Sequence, residues 1–241
     1  MKKRIISLLL AAVLLAGLCP AVFAAGYTDM KFSDQCVNYI KNGEGFKPKV
    51  YSDGTGWYIG YGVACGQYDY PNGITEAQAE TLLRQKMQVF ADEVNAFARR
   101  NSLKLTQGQF DAMCSMTYNL GPNWLAKGNK LPTMIISGVE NYSDEDIVSA
   151  FAAWCHIGST VSEGLLKRRI AEAKMFLSGD YSGNAEGWKW LVCQANGGTA
   201  VRKINCFKAG TTYGSIPGAT RSGYTFAGWE TPNGTLIVTA L

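Results

Sequence analysis

The hydrophobic pattern of this 241-residue chain changes period near residue 185, so the chain has to build two different kinds of core. Before that point apolar residues recur at helical spacing behind capping residues. Ser33-Asp-Gln predicts the start of a short helix with Val37 and Ile40 facing inward. Thr75-Glu-Ala-Gln78 is a capping box ahead of Ala79, Leu82, Leu83, Phe90, Val94 and Phe97. Thr106-Gln-Gly-Gln109 opens a helix through Phe110, Met113, Cys114 and Thr117 that closes near Asn119-Leu-Gly121. Ser143-Asp-Glu-Asp146 starts another, with Ile147, Ala150, Phe151 and Trp154. Ser162-Glu-Gly starts a last one that buries Leu165, Leu166, Ile170, Ala173 and Leu177 and stops at Gly179. Residues 50–70, rich in Tyr, Trp and Gly, have the composition of strands and a hairpin. From Cys193 onward, short β-type runs (Thr199-Ala-Val, Tyr224-Thr-Phe, Leu236-Ile-Val-Thr) alternate with Gly, Pro and Asn turns. The expected class is α+β: a mostly helical domain with a small β-hairpin lobe over residues 25–182, a linker over 183–192 and a small β-rich unit over 193–241.

The amino terminus reads as a secretory signal peptide, residues 1–24. Met-Lys-Lys-Arg precedes an apolar run from Ile5 to Leu18 and a small-residue cleavage site at Pro20-Ala-Val-Phe-Ala-Ala25. That run falls short of the roughly 20 apolar residues a membrane span needs, so no stable span is expected after cleavage. The leader holds three of the 23 basic side chains, leaving 20 against 19 acidic ones, a balance that argues against nucleic acid as a partner. The remaining charge is uneven: residues 193–241 hold four basic side chains and one acidic one, enough for a mildly cationic unit to rest on an anionic surface. Six cysteines outside the leader allow disulfides in an exported chain, and a Cys193–Cys206 bridge would staple the small tail. No cysteine pair has C-x-x-C spacing and His156 is the only histidine, so neither a metal nor an organic cofactor is expected.

The chemistry points to two acids. Glu44 lies at the end of the first helix, within Asn42-Gly-Glu-Gly-Phe46, and Asp53 opens the glycine-rich run Ser52-Asp-Gly-Thr-Gly-Trp57. Splitting a glycosidic bond needs one carboxyl that donates a proton and a second that stays ionised. Nine extended residues would hold the two roughly 30 Å apart, so the chain must turn back, and Gly43, Gly45, Pro48, Gly54 and Gly56 supply the turns. Apolar neighbours such as Phe46 or Ile40 would keep Glu44 protonated, while glycine amides would favour an ionised Asp53. Tyr51, Trp57, Tyr58 and Tyr61 are rings of the kind that line sugar clefts, although strand aromatics equally serve as core and Gly-Glu-Gly and Ser-Asp-Gly equally occur in plain turns.

Four ordered motifs over residues 33–178 resemble the phage-type lysozymes, glycoside hydrolase family 24. They are Glu44-Gly-Phe with Tyr51-Ser-Asp53 and Gly56-Trp-Tyr-Ile-Gly-Tyr-Gly62, then Leu105-Thr-Gln-Gly-Gln-Phe-Asp-Ala112 through Tyr118-Asn-Leu-Gly121, then Trp154, and then Gly164-Leu-Leu-Lys-Arg-Arg-Ile-Ala-Glu172. The resemblance implies a lysozyme-like fold and a muramidase that hydrolyses the β-1,4 bond between N-acetylmuramic acid and N-acetylglucosamine in peptidoglycan. It implies Glu44 as general acid, Asp53 as the carboxylate that positions or activates water, and Asn119 as a cleft residue touching substrate. The family's water-binding Thr is replaced by Tyr58, and Val63-Ala64 stand where a His often follows Gly-Tyr-Gly. Two other activities fit a chain without that Thr: a peptidoglycan-binding surface protein that does not hydrolyse, and a lytic transglycosylase using Glu44. Arg168 and Arg169 are expected to pair within the protein, with acids such as Glu172. No catalytic role is expected of His156 or Cys114.

The tail is similar to an internalin-type B repeat, a β-grasp-like module of bacterial surface proteins, through Gln194-Ala-Asn-Gly-Gly198, Thr211-Thr-Tyr-Gly-Ser-Ile-Pro217 and Thr220-Arg-Ser-Gly-Tyr-Thr-Phe-Ala-Gly-Trp229. This implies cell-surface contact through the repeat. The whole chain is expected to be secreted or at the cell surface of a bacterium.

Overall fold

The computed structural model describes residues 28–200, 203–213, 216–233 and 235–237. The signal peptide expected over residues 1–24 lies outside them. No described helix is long and apolar enough to cross a membrane.

Helix α1 (Asp34–Glu44) starts where Ser33 accepts a hydrogen bond from the Cys36 amide, and it buries Val37 and Ile40. It ends at Gly45, whose φ of 68° lets the chain leave toward strand β1 while its N–H satisfies the Lys41 carbonyl. Strands β1 (Lys47–Ser52), β2 (Trp57–Gly60) and β3 (Val63–Cys65) form the small lobe, an antiparallel sheet in that order with Tyr51 opposite Tyr58 and Ser52 opposite Trp57. Gly60 at the end of β2 has a φ of 65° and sits so close to Ala79 that a Cβ there would lie 2.9 Å from the alanine's own, which fixes both its identity and the approach of the next helix.

That helix, α2 (Glu76–Arg100), and α3 (Gln107–Leu120) both begin with the expected capping boxes, at Thr75/Gln78 and Thr106/Gln109. Every residue of α3 from Phe110 to Thr117 is buried, which makes it the central helix of the domain. A helix surrounded on all sides must satisfy its polar groups, and Asp111 does so by accepting from the Ser33 amide, the Gln107 amide and the Tyr181 hydroxyl. A 3-10 turn (Pro122–Leu125) leads to α4 (Lys130–Ile136), and a second (Val139–Asn141) to α5 (Asp144–Ala152). The short α4 has no side-chain cap bond and carries Pro132 in its first turn, and correspondingly it had no helix signal in the sequence. A two-strand ribbon, β4 (His156–Ile157) and β5 (Thr160–Val161), precedes α6 (Glu163–Ser178). Ser162 caps α6 and Gly179 ends it in the left-handed region.

Strand β6 (Trp188–Val192) occupies the second half of the stretch expected to be a linker. It pairs antiparallel with β8 (Ile204–Lys208), placing Trp188 opposite Lys208 and Trp190 opposite Cys206. Trp188, Ile204 and Cys206 join the same core as α5 and α6, and the Cys206 amide donates to the buried Ser149 hydroxyl at 2.8 Å. The first hairpin of the tail therefore belongs to the helical core. The rest of the tail, with β7 (Thr199–Ala200) paired to β9 (Ala219–Thr220) and β10 (Trp229–Glu230) to β11 (Leu236–Ile237), surrounds a second small cluster of Ala200, Ile216 and Trp229.

This division corrects the cysteine expectation. No disulfide joins Cys36, Cys65, Cys114, Cys155, Cys193 or Cys206, and the Cys193–Cys206 staple is not formed. Cys206 packs into the helical core and Cys193 into the second cluster, where its sulfur accepts from the Asn205 amide at 3.2 Å.

Candidate active site

Glu44 sits where α1 meets the hairpin lobe, its position fixed by the glycine that ends the helix. Its Oε1 accepts a hydrogen bond from Arg168 Nη1 at 2.7 Å, and its Oε2 faces Gly62, where a Cβ would stand 3.4 Å away. The absence of a side chain at Gly62, with φ at 82°, keeps that oxygen uncovered. The expectation of an apolar setting against Phe46 or Ile40 is thus corrected: the nearest partner of Glu44 is a guanidinium. Ile40 lies one turn earlier in the core, and Phe46 packs its ring against Tyr61 instead.

Arg168 has a second acidic neighbour, Glu172 Oε1, at 3.4 Å. Burial opposes its charge, but Glu172 and Glu44 outweigh that effect and hold the guanidinium more firmly protonated than usual. Arg169 is fully buried and turns its Nε to Glu172 Oε2 at 2.8 Å, while its Nη2 donates to both Glu172 Oε1 and Asn119 Oδ1. Burial lowers its own protonation affinity, with Glu172 as the compensating charge. Both arginines pair within the protein, as expected from their helical spacing. The pairing of Arg168 with Glu44 is the residue relationship that sequence reasoning missed, because nothing local joins positions 124 apart.

Asp53 lies on the exposed turn between β1 and β2. Its Oδ1 accepts from the Thr55 amide at 2.8 Å, the Thr55 hydroxyl at 2.7 Å and the Gly56 amide at 3.3 Å. The Thr55 hydroxyl and then its amide hold the Asp53 carboxyl below the ordinary aspartate range. The Tyr58 hydroxyl lies 3.0 Å from the Thr55 hydroxyl, so Tyr58, Thr55 and Asp53 form one chain of polar contacts. Thr55 was not singled out in the sequence; its place two residues after an aspartate in a glycine turn is the signal that could have found it.

Tyr51 lies opposite Tyr58 in the sheet, with the two ring centroids 5.9 Å apart. Burial raises its pKa, and the charges of Glu44 and Asp53 push in the same direction. Tyr118, on α3, donates to the Tyr61 carbonyl at 2.7 Å; burial and then Glu44 raise its pKa. The surroundings of Glu44 are therefore built from the end of α1, Gly62 of the hairpin lobe and Arg168 of α6, with Tyr118 of α3 bonded to the neighbouring Tyr61 carbonyl.

Asn119 reaches the same region, but its side-chain oxygen is engaged by Arg169, and the end of α3 is capped by the Gly121 amide on the Thr117 carbonyl. His156 Nδ1 lies 3.2 Å from the Ala153 carbonyl, on the short ribbon before α6. Among the described residues no group of His, Cys, Asp and Glu side chains is arranged to hold a metal ion.

Comparison with known proteins bears on the family and the fold. The endolysin of Bacillus phage B103 is 32% identical over 154 residues, which cover 63% of this chain and 56% of that protein. The chain thus spans little more than half the length of the first curated relatives it matches. Among solved structures, an endolysin from Escherichia coli O157:H7 phage FAHEc1 is 26% identical with a TM-score of 0.54, the match covering 64% of this chain and 98% of that one. The muramidase domain of SpmX from Asticaccaulis excentricus is 26% identical with a TM-score of 0.52, covering 61% and 98%. The family model described as phage lysozyme matches residues 41–172, which begin just before Glu44 and end at Glu172, and on that match over more than half its length the chain belongs to the phage lysozyme family.

Proposed function

We propose that this protein is a muramidase that hydrolyses the β-1,4 bond between N-acetylmuramic acid and N-acetylglucosamine in peptidoglycan. The observation that carries the proposal is the difference between the two acids. Glu44 is anchored on one oxygen by Arg168 and presents the other toward Gly62, whereas Asp53 is held ionised by the Thr55 and Gly56 donors.

Glu44 donates a proton to the leaving glycosidic oxygen, and the Arg168 charge stabilises the carboxylate left behind. Asp53 orients or deprotonates the attacking water from the opposite side of the scissile bond, the arrangement of an inverting glycosidase. Tyr58 stands at the family's water-binding position. Thr55 brings a threonine hydroxyl into hydrogen bond with Asp53 from a neighbouring position, which is a physical reason for hydrolysis to survive the loss of a threonine at 58. Asn119 orients Arg169 through its oxygen, and its side-chain NH2 is the part that can donate to substrate. We take residues 1–24 as an export leader and residues 193–241 as a surface-type module, which makes the bacterial cell wall the place of action.

A second reading is favoured by one contact. The Tyr58 ring and hydroxyl crowd the turn, with Gly56 3.2 Å from the hydroxyl as measured from a Cβ position. If the phenol excludes water there, Glu44 alone can act as the acid and base of a lytic transglycosylase, or the cleft can hold glycan without cutting it. The test is to incubate the protein with purified peptidoglycan and identify the released muropeptides by mass, beside Glu44→Gln and Tyr58→Thr. Reducing ends that vanish in Glu44→Gln support hydrolysis; 1,6-anhydro ends indicate the transglycosylase; activity that survives Glu44→Gln refutes the role of Glu44. A silent wild type with an active Tyr58→Thr makes the native chain a binder.

A further inference from the structure

The second cluster carries an open groove of about 260 Å³, remote in sequence from the acids and lined by Ala195, Asn196, Arg221, Tyr224, Phe226 and Trp229 among others. Tyr224 is 67% exposed and Phe226 43%, a large aromatic surface to leave in water on so small a unit. Their positions are fixed from below: Phe226 packs edge-on against Trp229 with ring centroids 5.3 Å apart, and the Trp229 indole donates to the Pro217 carbonyl at 3.0 Å. Arg221 is fixed too. Its guanidinium carbon lies 4.1 Å from the centre of the Tyr224 ring, and Nη1 donates to the Asn196 carbonyl at 2.9 Å. A neighbouring pocket of about 420 Å³ beside Gly197, Gly198 and Ser222 shares Thr220 and Arg221 with the first, so Arg221 stands between the two.

We infer that this groove is a binding site for the glycan strand of peptidoglycan, separate from the Glu44 cleft. Exposed aromatic faces accept the C–H face of a pyranose ring, and the amides of Gln194 and Asn196 beside them suit hydroxyl and acetamido groups. Two adjoining pockets divided by one guanidinium match a chain of linked sugars better than a single small molecule. Arg221, the one basic side chain lining the groove, offers a charge partner for a carboxylate of the wall's peptide stems, with Glu230 the one acid beside it. The identity of the glycan rests on the proposed muramidase function; the existence of a sugar-binding groove does not.

The test uses the full chain carrying Glu44→Gln, pelleted with purified insoluble peptidoglycan sacculi, against the same chain with Tyr224→Ala and Phe226→Ala. The double substitution is expected to weaken binding about tenfold, and Arg221→Gln to weaken it severalfold with loss of part of its salt dependence. Protection of the module against limited proteolysis checks that it still folds, and a single Tyr224→Ala, at a mostly exposed ring, serves if the double variant does not. In the Glu44-containing background, cutting of a soluble glycan fragment stays as in wild type while cutting of sacculi slows. Undiminished pelleting of the folded variants overturns the inference. Absence of any cleavage by the wild type, with pelleting still lost in the variants, overturns the muramidase proposal and leaves the groove standing.

Discussion

Arg168 on α6 places its Nη1 2.7 Å from Oε1 of Glu44 at the end of α1, across 124 positions of sequence. Its side chain is 17% exposed and that of Glu44 24%, so the pair is largely buried and not in free solvent. The same guanidinium is steadied by Glu172, one turn further along α6. The orientation of the proposed proton donor therefore depends on the packing of α6 against α1 and α3.

Replacing Glu44 with Gln keeps the shape and a hydrogen-bond acceptor for Arg168 but removes the proton to be donated. Reducing-end release is expected to fall roughly 10²- to 10⁴-fold while thermal stability changes little. Quantitative reducing-sugar assays and a thermal melt, run on one preparation, check both halves.

Arg168→Lys retains a positive charge but loses the planar fork that spans Glu44 and Glu172. With Glu44 no longer held in place, kcat is expected to fall roughly 10- to 100-fold, more than KM rises. A fall in melting temperature with kcat preserved would assign Arg168 to structure alone.

Glu172 is buried against Arg169, which is itself fully buried, and also accepts from Ser115 at 2.8 Å. Glu172→Ala strands a guanidinium in the core, and the expected cost is about 3–5 kcal/mol in urea unfolding. Joint replacement of Arg169 and Glu172 by apolar residues of similar volume should recover most of it, because the cost comes from an unpaired charge rather than from the loss of an attractive one.

Asp53 carries a pH signature. Its folded carboxyl is held below its ordinary value, first by the Thr55 hydroxyl, so its favourable contacts are complete above that value and are lost as pH falls through the lowered one. Thr55→Val removes the largest cause. The acid limb of the pH–activity profile is expected to move upward, toward the ordinary aspartate range, whereas Tyr58→Phe, which loses only the contact to Thr55, leaves that limb in place and costs under about tenfold in rate. A limb that stays fixed in Thr55→Val would separate Asp53 from the rate.

The helices were legible because their signals are local. Capping boxes at Thr75 and Thr106, a serine cap at Ser33 and a stopping glycine at Gly179 each act within four residues, and most of the apolar residues behind them are buried, while Leu82, Phe90, Leu165 and Leu177 are only partly so because they lie at the edges of their faces. Helix α4 escaped because it has no cap bond and begins across a proline. The disulfide expectation failed because cysteine number says nothing about which core each sulfur enters. Cys193 and Cys206, close in sequence, are divided between two.

By itself the sequence determined the capped helices, the glycine turns of the hairpin lobe, and the residue types available for acid chemistry. These follow from backbone sterics and from hydrogen bonds within a turn or two. Only the tertiary structure decided the distant partners: Arg168 for Glu44, Arg169 for Asn119, and the docking of β6 and β8 onto α5. Burial creates those pairings, since a charged or polar group withdrawn from water must find its counterpart wherever the fold has carried it, at whatever distance along the chain.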